Sequence, residues 1–271
     1  MGALPANYDI FQRRGIQKAL NEKTRVSPAL VIDGNFGAKS ITALQTFQKQ
    51  NNLTPDGVYG PATAALLDPF IQQKYALMAD FQSAAATLGV SVASVLAVCE
   101  TESKGSGFFA DGTCQILFER HYMYNLLSAA KTPGVANGLA NRFPTVVNPT
   151  PGGYSGGPAE YQRLNLAMSI DQACALQSAS WGLFQIMGAN FSFCGYSSIF
   201  NYVADMKVSE KKHVAAFVQF IKSYRQGALW TAMKKNDFTG FATIYNGPKN
   251  VGDYAPKMAS NFDLWKSTAL A

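Results

Sequence analysis

Apolar residues recur at helical spacing along most of the 271-residue chain, and the interruptions fall at Gly, Pro and Asp-Gly turns. Ile16 and Leu20 give an inner face to a helix predicted from about Asp9 to Asn21. Ile41, Leu44, Phe47 and Gln48 repeat that pattern in a second helix, and Pro61 is a natural first residue for a third. Asp68-Pro69 predicts the end of this group, and Phe70 to Lys74 a short linker. Helical pattern returns from Tyr75 to Gly89. Another helix starts at Ser91 with Val92, Val95, Leu96 and Cys99 on one face, and it ends in Glu100-Thr101-Glu102-Ser103-Lys104-Gly105. After the Ala110-Asp111-Gly112 turn, Thr113 to Phe118 has the β-branched and aromatic content of a strand. Five Pro and six Gly between Thr132 and Pro158 predict a long loop. Tyr161 to Leu270 reads as mostly helical, broken near Gly188, Gly195 and Gly247. The expectation is a mainly α protein: a three-helix bundle over residues 1–68, a linker over 69–75 and a larger domain over 76–271.

An internal repeat marks the first domain. Asp33-Gly34-Asn35-Phe36-Gly37 returns 23 residues later as Asp56-Gly57-Val58-Tyr59-Gly60, and Ser40 is matched by Thr63. Asp-Gly makes a tight turn with positive φ at the Gly, the aromatic pins the loop to the core, and the second Gly releases the chain into a helix.

Composition narrows the function classes. Apolar residues make up 48% of the chain, enough for a proper core, and only 15% are charged. The net charge is +6, but no basic run alternates with aromatics, which argues against nucleic acid as a partner. A diffuse positive field suits an extended anionic polymer. The N-terminus, MGALPANYDIFQRR, has no apolar signal-peptide core, and Val90 to Cys99 falls short of the ~18 residues of a membrane span. A soluble, monomeric protein with no export route of its own and no stable membrane association is expected. Four cysteines (Cys99, Cys114, Cys174, Cys194) form no CxxC, and two histidines (His121, His213) are too few for the usual zinc hydrolase, so neither metal nor cofactor is expected. A Cys–His nucleophile pair would need the two within hydrogen-bond reach, and no cysteine sits at a helix start with catalytic neighbours.

The chemistry is expected between residues 100 and 120. A carboxylic acid becomes a general acid when an apolar setting disfavours its charged form, and the end of a buried helix supplies such a setting. On the wheel of the helix from Ser91, Glu102 lies about 70° from the apolar centre and Glu100 about 90° away on the other side. That geometry alone does not choose between them. Glu119, 17 residues past Glu102, either orients water or stabilises positive charge as a second carboxylate, or forms a structural ion pair within Glu119-Arg120-His121.

Ile16-Gln17, Asp33-Gly34-x-Phe36-Gly37, Ser40, Phe47-Gln48, Leu53, Asp56-Gly57-x-x-Gly60 and Thr63 closely resemble the peptidoglycan-binding domain of the first type. The resemblance implies a shallow wall-binding groove involving Asp33, Gly34, Phe36, Asp56, Gly57 and Tyr59. Ala97-Val98-x-x-x-Glu102-Ser103-x-Gly105-x-Gly107-Phe108, Asp111-Gly112 and Ile116 to His121 resemble the N-acetylmuramidase domain of modular phage endolysins. So do Ser178-Ala179-Ser180-Trp181-Gly182-x-x-Gln185-Ile186-Met187-Gly188-x-Asn190 and Phe241-Ala242-x-x-Tyr245-Asn246-Gly247-Pro248. The implied fold is lysozyme-like α+β, mostly helical with a small sheet beside a cleft. The implied activity is hydrolysis of the β-1,4 bond between N-acetylmuramic acid and N-acetylglucosamine in bacterial peptidoglycan. Glu102 is then the acid, with Glu119 as a second carboxylate. Gln185, Tyr245 and His121 are then cleft residues, with Trp181 and Asn246 supporting the substrate site. The same blocks echo lytic transglycosylases, which cut the same bond and leave an anhydro product. The endolysin resemblance also implies accumulation in the host cytoplasm until the membrane opens, followed by lysis at the wall.

Overall fold

Asp9 starts the first helix by exchanging caps with Gln12. Its carboxylate accepts the Gln12 backbone N–H at 2.8 Å, and the Gln12 side chain accepts the Asp9 N–H at 2.8 Å. From this reciprocal cap α1 (Ile10–Thr24) runs to Arg25, which ends it in the left-handed conformation. The computed structural model describes residues 4–268 apart from Ala6. Helices α2 (Ala38–Gln50) and α3 (Pro61–Lys74) complete the predicted bundle.

The sequence repeat is a repeated hydrogen-bond staple. Gln17 on α1 donates to Asp33 Oδ1 and the Asn35 carbonyl, both at 2.9 Å, and accepts the Gly34 N–H at 2.7 Å. Gln48 on α2 does the same to the second turn, donating to Asp56 Oδ1 and the Val58 carbonyl and accepting from the Gly57 N–H. Each buried amide satisfies three polar groups of a tight turn that no regular element pairs. A Cβ on Gly34, which has φ of +77°, would run into the Ile10 side chain.

No break separates the two halves of the chain. Residues 69–74, expected as a linker, are the last turns of α3, with Pro69 inside the helix. Packing outweighs the missing N–H of the proline: Ile71 is buried, and the Phe70 ring meets Tyr75 edge-on. Helix α4 (Met78–Leu88) follows, ending at left-handed Gly89. Helix α5 (Val92–Ser103) then starts from a Ser91 cap. Every residue from Ala93 to Cys99 is buried.

Strand β1 (Ile116–Phe118) is shorter than the predicted Thr113–Phe118, since Cys114 makes only an isolated bridge to Phe108. Helices α6 (Arg120–Ala130) and α7 (Pro133–Arg142) come next. The long loop expected from residue 132 is thus partly helical: Thr132 caps α7 and Pro133 occupies its first turn. After α8 (Glu160–Met168) and α9 (Gln172–Gln177), strands β2 (Ala179–Trp181) and β3 (Ile186–Met187) complete an antiparallel sheet in the order β1-β2-β3. Its register sets Ile116 opposite Trp181 and Trp181 opposite Ile186. The remaining helices are α10 (Ile199–Met206), α11 (Glu210–Ser223), α12 (Ala228–Lys234), α13 (Phe238–Tyr245) and α14 (Val251–Thr268). Helix α5 is the hub, packed against α4, α14 and the turn that follows β2.

Helix α1 belongs to both halves. Phe11 stacks on Trp265 of α14 and packs against Phe81 of α4. Lys18 places its ammonium 2.9 Å from both oxygens of Glu210, whose side chain is 0% exposed. Glu210 also accepts the N–H groups of Ala76 and Gly107. Removing one partner of a buried pair strands the other charge, at a cost of roughly 3–5 kcal/mol. Lys18→Met should therefore lower stability by about that amount in a denaturant melt. An unchanged midpoint would show that the pair does not hold the halves together.

Candidate active site

Glu102 lies in the last turn of α5, half-buried where the fully buried stretch of the helix ends. Burial disfavours its charge and pushes the carboxyl up to about 7. Asn246, at the C-terminal end of α13, donates from Nδ2 to Glu102 Oε1 at 2.8 Å, which opposes that rise. Oε2 has no protein partner among the described residues, so it is the oxygen free to carry and deliver a proton. Glu100, the alternative acid, is tied to Arg14 of α1 by an ion pair and is committed to the contact between the halves. The structure separates the two glutamates that the helical wheel left open.

Glu119 occupies the position just before α6, directly after β1, and its side chain makes no cap bond to the helix. The Tyr154 hydroxyl lies 2.9 and 3.0 Å from its two oxygens, and His121 Nδ1 is 3.1 Å from Oε2. Tyr154 comes from the irregular segment after α7, which two guanidiniums hold in place. Arg120 donates to the Pro144, Thr150 and Pro151 carbonyls, and Arg163 to the Thr145 and Phe118 carbonyls. Buried Glu160 accepts from Arg163 and from the N–H groups of Phe118, Ser155 and Gly156. The segment is therefore fastened to β1, and Tyr154 sits over Glu119. Sequence reasoning missed Tyr154, because its place depends on contacts from residues 118, 120 and 163. It also missed Tyr254 of α14, whose phenol is raised by burial and then by the charges of Glu102, Asp253 and Glu119.

Several expected cleft residues serve the scaffold. Trp181 is 1% exposed and donates to the Leu176 carbonyl at 3.1 Å, so it braces the sheet and does not meet a sugar. Gln185 is held at φ of +48°. Its amide is occupied by the Gly182 carbonyl and the Ser180 hydroxyl, both at 2.8 Å. Tyr245 donates to the Phe184 carbonyl at 2.6 Å and stacks on Phe241, forming the wall behind Glu102.

The cysteines are all free and buried. Cys114 Sγ lies 3.9 Å from His213 Nε2, but that nitrogen is also 2.6 Å from the Met206 carbonyl. Nδ1 accepts the Leu183 N–H, so Nε2 carries the proton and is no base for the thiol. Burial pushes Cys114 up to about 12 and lowers His213, leaving both neutral. This pair is packing, not a nucleophilic site.

In the first domain, Gln17, Leu30, Val31, Asp33, Asn35 and Ser40 are among the residues lining a groove of about 300 Å³. Val31 is 73% exposed there. Of the expected wall-binding residues, only Asp33 lines this groove. Asp56 caps its own turn, as Asp33 does, and Tyr59 is buried with its hydroxyl on Asp68.

Residues 91–266 match the N-acetylmuramidase family, and residues 12–67 match the putative peptidoglycan binding domain. The chain belongs to the N-acetylmuramidase family. The crystal structure of the Burkholderia AP3 phage endolysin is similar at 38% identity and a TM-score of 0.64, covering 94% of this chain and 95% of that one. A protein of Kitasatospora aureofaciens described as "Uncharacterized protein in bpoA1 3'region" is 51% identical over 37 residues, 14% of this chain. The chain spans 31% of that relative's length. The muramidase is thus a glycoside hydrolase of the phage endolysin type, acting on peptidoglycan, and the sequence resemblance and the mainly α expectation both hold.

Asn246→Ala should reveal the amide's part in the muramidase. Losing a hydrogen bond that holds the Glu102 pKa down moves the alkaline limb of the kcat profile to higher pH, while maximal kcat falls. A pH–rate profile identical to that of the unaltered protein would remove Asn246 from the site.

Proposed function

We propose that this muramidase hydrolyses the β-1,4 bond between N-acetylmuramic acid and N-acetylglucosamine, with Glu102 as general acid and Glu119 as the second carboxylate. One observation carries the reading: Glu102 is a desolvated carboxyl with a pKa raised to about 7, on a helix end held rigid by the core. Near neutral pH it is partly protonated in the free protein, and Oε2 gives its proton to the leaving glycosidic oxygen as positive charge develops on the sugar. Glu119, held by the Tyr154 hydroxyl, then faces the developing charge or orients the attacking water. The presence of a second aligned carboxylate favours hydrolysis over the transglycosylase route, in which the sugar's own 6-hydroxyl attacks. Tyr254 of α14, whose phenol is raised by burial and by the charges of Glu102, Asp253 and Glu119, is proposed as a further cleft residue.

The groove lined by Val31 and Asp33 is the surface offered to the wall glycan. The enzyme works as a monomer, gathers in the host cytoplasm and reaches the wall once the membrane is opened. Mass spectrometry of digested wall fragments tests the bond and the outcome together. Reducing-end products one water heavier than anhydro forms are expected, and anhydro products would establish the transglycosylase instead.

Glu102→Gln tests the acid in two ways. Turnover should fall by roughly 10²–10⁴-fold, since the amide keeps the shape but delivers no proton. The same change should stabilise the fold at pH 8 and not at pH 4. The folded pKa is raised from the ordinary 4.5, so the native carboxyl carries no penalty below that value and a growing one as pH rises towards about 7. Melting temperatures at the two pH values check the sign. Equal shifts at both would contradict a desolvated Glu102.

A further inference from the structure

Helix α1 of the wall-binding domain reaches the segment that carries the acid at two points. Arg14, 16% exposed, pairs with Glu100, two residues before Glu102 on α5. The pair lies directly over Gly105, where the chain leaves α5: a Cβ there would sit 2.9 Å from Glu100 Oε1 and 3.2 Å from the Arg14 guanidinium. Lys104, the residue before it, ends α5 in the left-handed conformation. Four residues along α1, Lys18 holds Glu210, and Glu210 Oε1 accepts the Gly107 N–H at 2.8 Å. A cation of the first domain thus bears on each end of the 105–107 exit turn: the Arg14–Glu100 pair packs over Gly105, and Lys18 holds the carboxylate that accepts the Gly107 N–H. The Arg14 guanidinium is itself fixed over Trp265 of α14, the helix that also supplies Tyr254.

We propose that Arg14 and Lys18 are positioning residues for the glycosidase reaction, so that the wall-binding domain sets the rate of bond cleavage as well as the place. The inference rests on Glu102 being the general acid. Neither cation hydrogen-bonds Glu102; Arg14 acts through Glu100, two residues before the acid, and Lys18 through Glu210, which holds the Gly107 N–H five residues after it. Gln17, between them on α1, grips the Asp33-Gly34 turn that borders the wall-binding groove. The same helix therefore bears on the groove and on the acid.

Loosening this clamp has a distinct signature. Water admitted at the end of α5 restores solvation to Glu102 and lowers its pKa, so activity that needs the protonated acid is lost at lower pH. The groups facing Glu102 from the neighbouring elements, Asn246 and Tyr245 at the end of α13 and Tyr254 on α14, are unaltered by the substitutions below.

The test uses the full chain and short soluble wall fragments, for which tethering by the first domain adds nothing. Arg14→Gln should lower kcat by about tenfold or more with KM little changed, and should move the alkaline limb to lower pH. Glu100→Gln breaks the same pair from the other side and should reproduce both effects. The double variant should add no further loss, and Arg14→Lys should recover part of the rate. Phe11→Leu weakens the apolar part of the same interface; it should lower Tm without moving the pH limb. Wild-type kcat and pH limb in folded Arg14→Gln or Glu100→Gln, or additive losses in the double variant, would overturn the proposal. Glu102→Gln, assayed alongside, keeps the two readings apart: retained activity there defeats the assignment of the acid, whatever Arg14 does.

Discussion

Helix α5 must be buried along nearly all of its length and still present a carboxyl group at its last turn. That constraint orders the rest of the molecule. Burial of Ala93 to Cys99 anchors the helix, and it leaves Glu102 at the margin where the core gives way to the cleft. A fully solvated carboxyl would be ionised at neutral pH and useless as an acid. A fully enclosed one would meet no substrate. The position at the helix end satisfies both demands, with Asn246 fixing one oxygen and leaving the other free.

Charge outside the cleft is used for fastening. The buried pairs Lys18–Glu210 and Glu160–Arg163 each include a carboxylate that also accepts backbone N–H groups. One joins α1 to the catalytic half, and the other closes the irregular segment over β1 so that Tyr154 reaches Glu119. Both organise backbone that regular secondary structure does not pair. The two domains consequently share a core through Phe11, Phe81 and Trp265, and they are not beads on a string.

Much of this was legible in the chain. The doubled Asp-Gly turns, the Ser91 start of α5 and the apolar stripe through Cys99 follow from local rules, and the structure keeps them. Local rules failed where distant residues decide. Pro69 reads as a helix end, yet the packing of Ile71 carries α3 through it. Five prolines suggested an unbroken loop, but Thr132-Pro133 is a helix start. On a wheel, the offsets of Glu100 and Glu102 from the apolar centre differ by only about 20°. Partners far along the chain tell them apart: Arg14, 86 residues before Glu100, and Asn246, 144 residues after Glu102. Trp181 and Gln185 lie in a block that resembles a sugar cleft, whereas their polar atoms are committed to backbone and a neighbouring hydroxyl. Tyr154 carries no local signal, because its value lies in standing on a carboxylate set by another element.

The central claim is that a protein-imposed, desolvated setting keeps the Glu102 carboxyl protonated into the neutral range. Direct titration tests it: NMR of the protein labelled at glutamate side-chain carboxyl carbons, with the resonance assigned by its disappearance in Glu102→Gln. The account predicts a Glu102 signal titrating at about 7, well above the ordinary glutamate value. A midpoint at the ordinary 4.5 would contradict it.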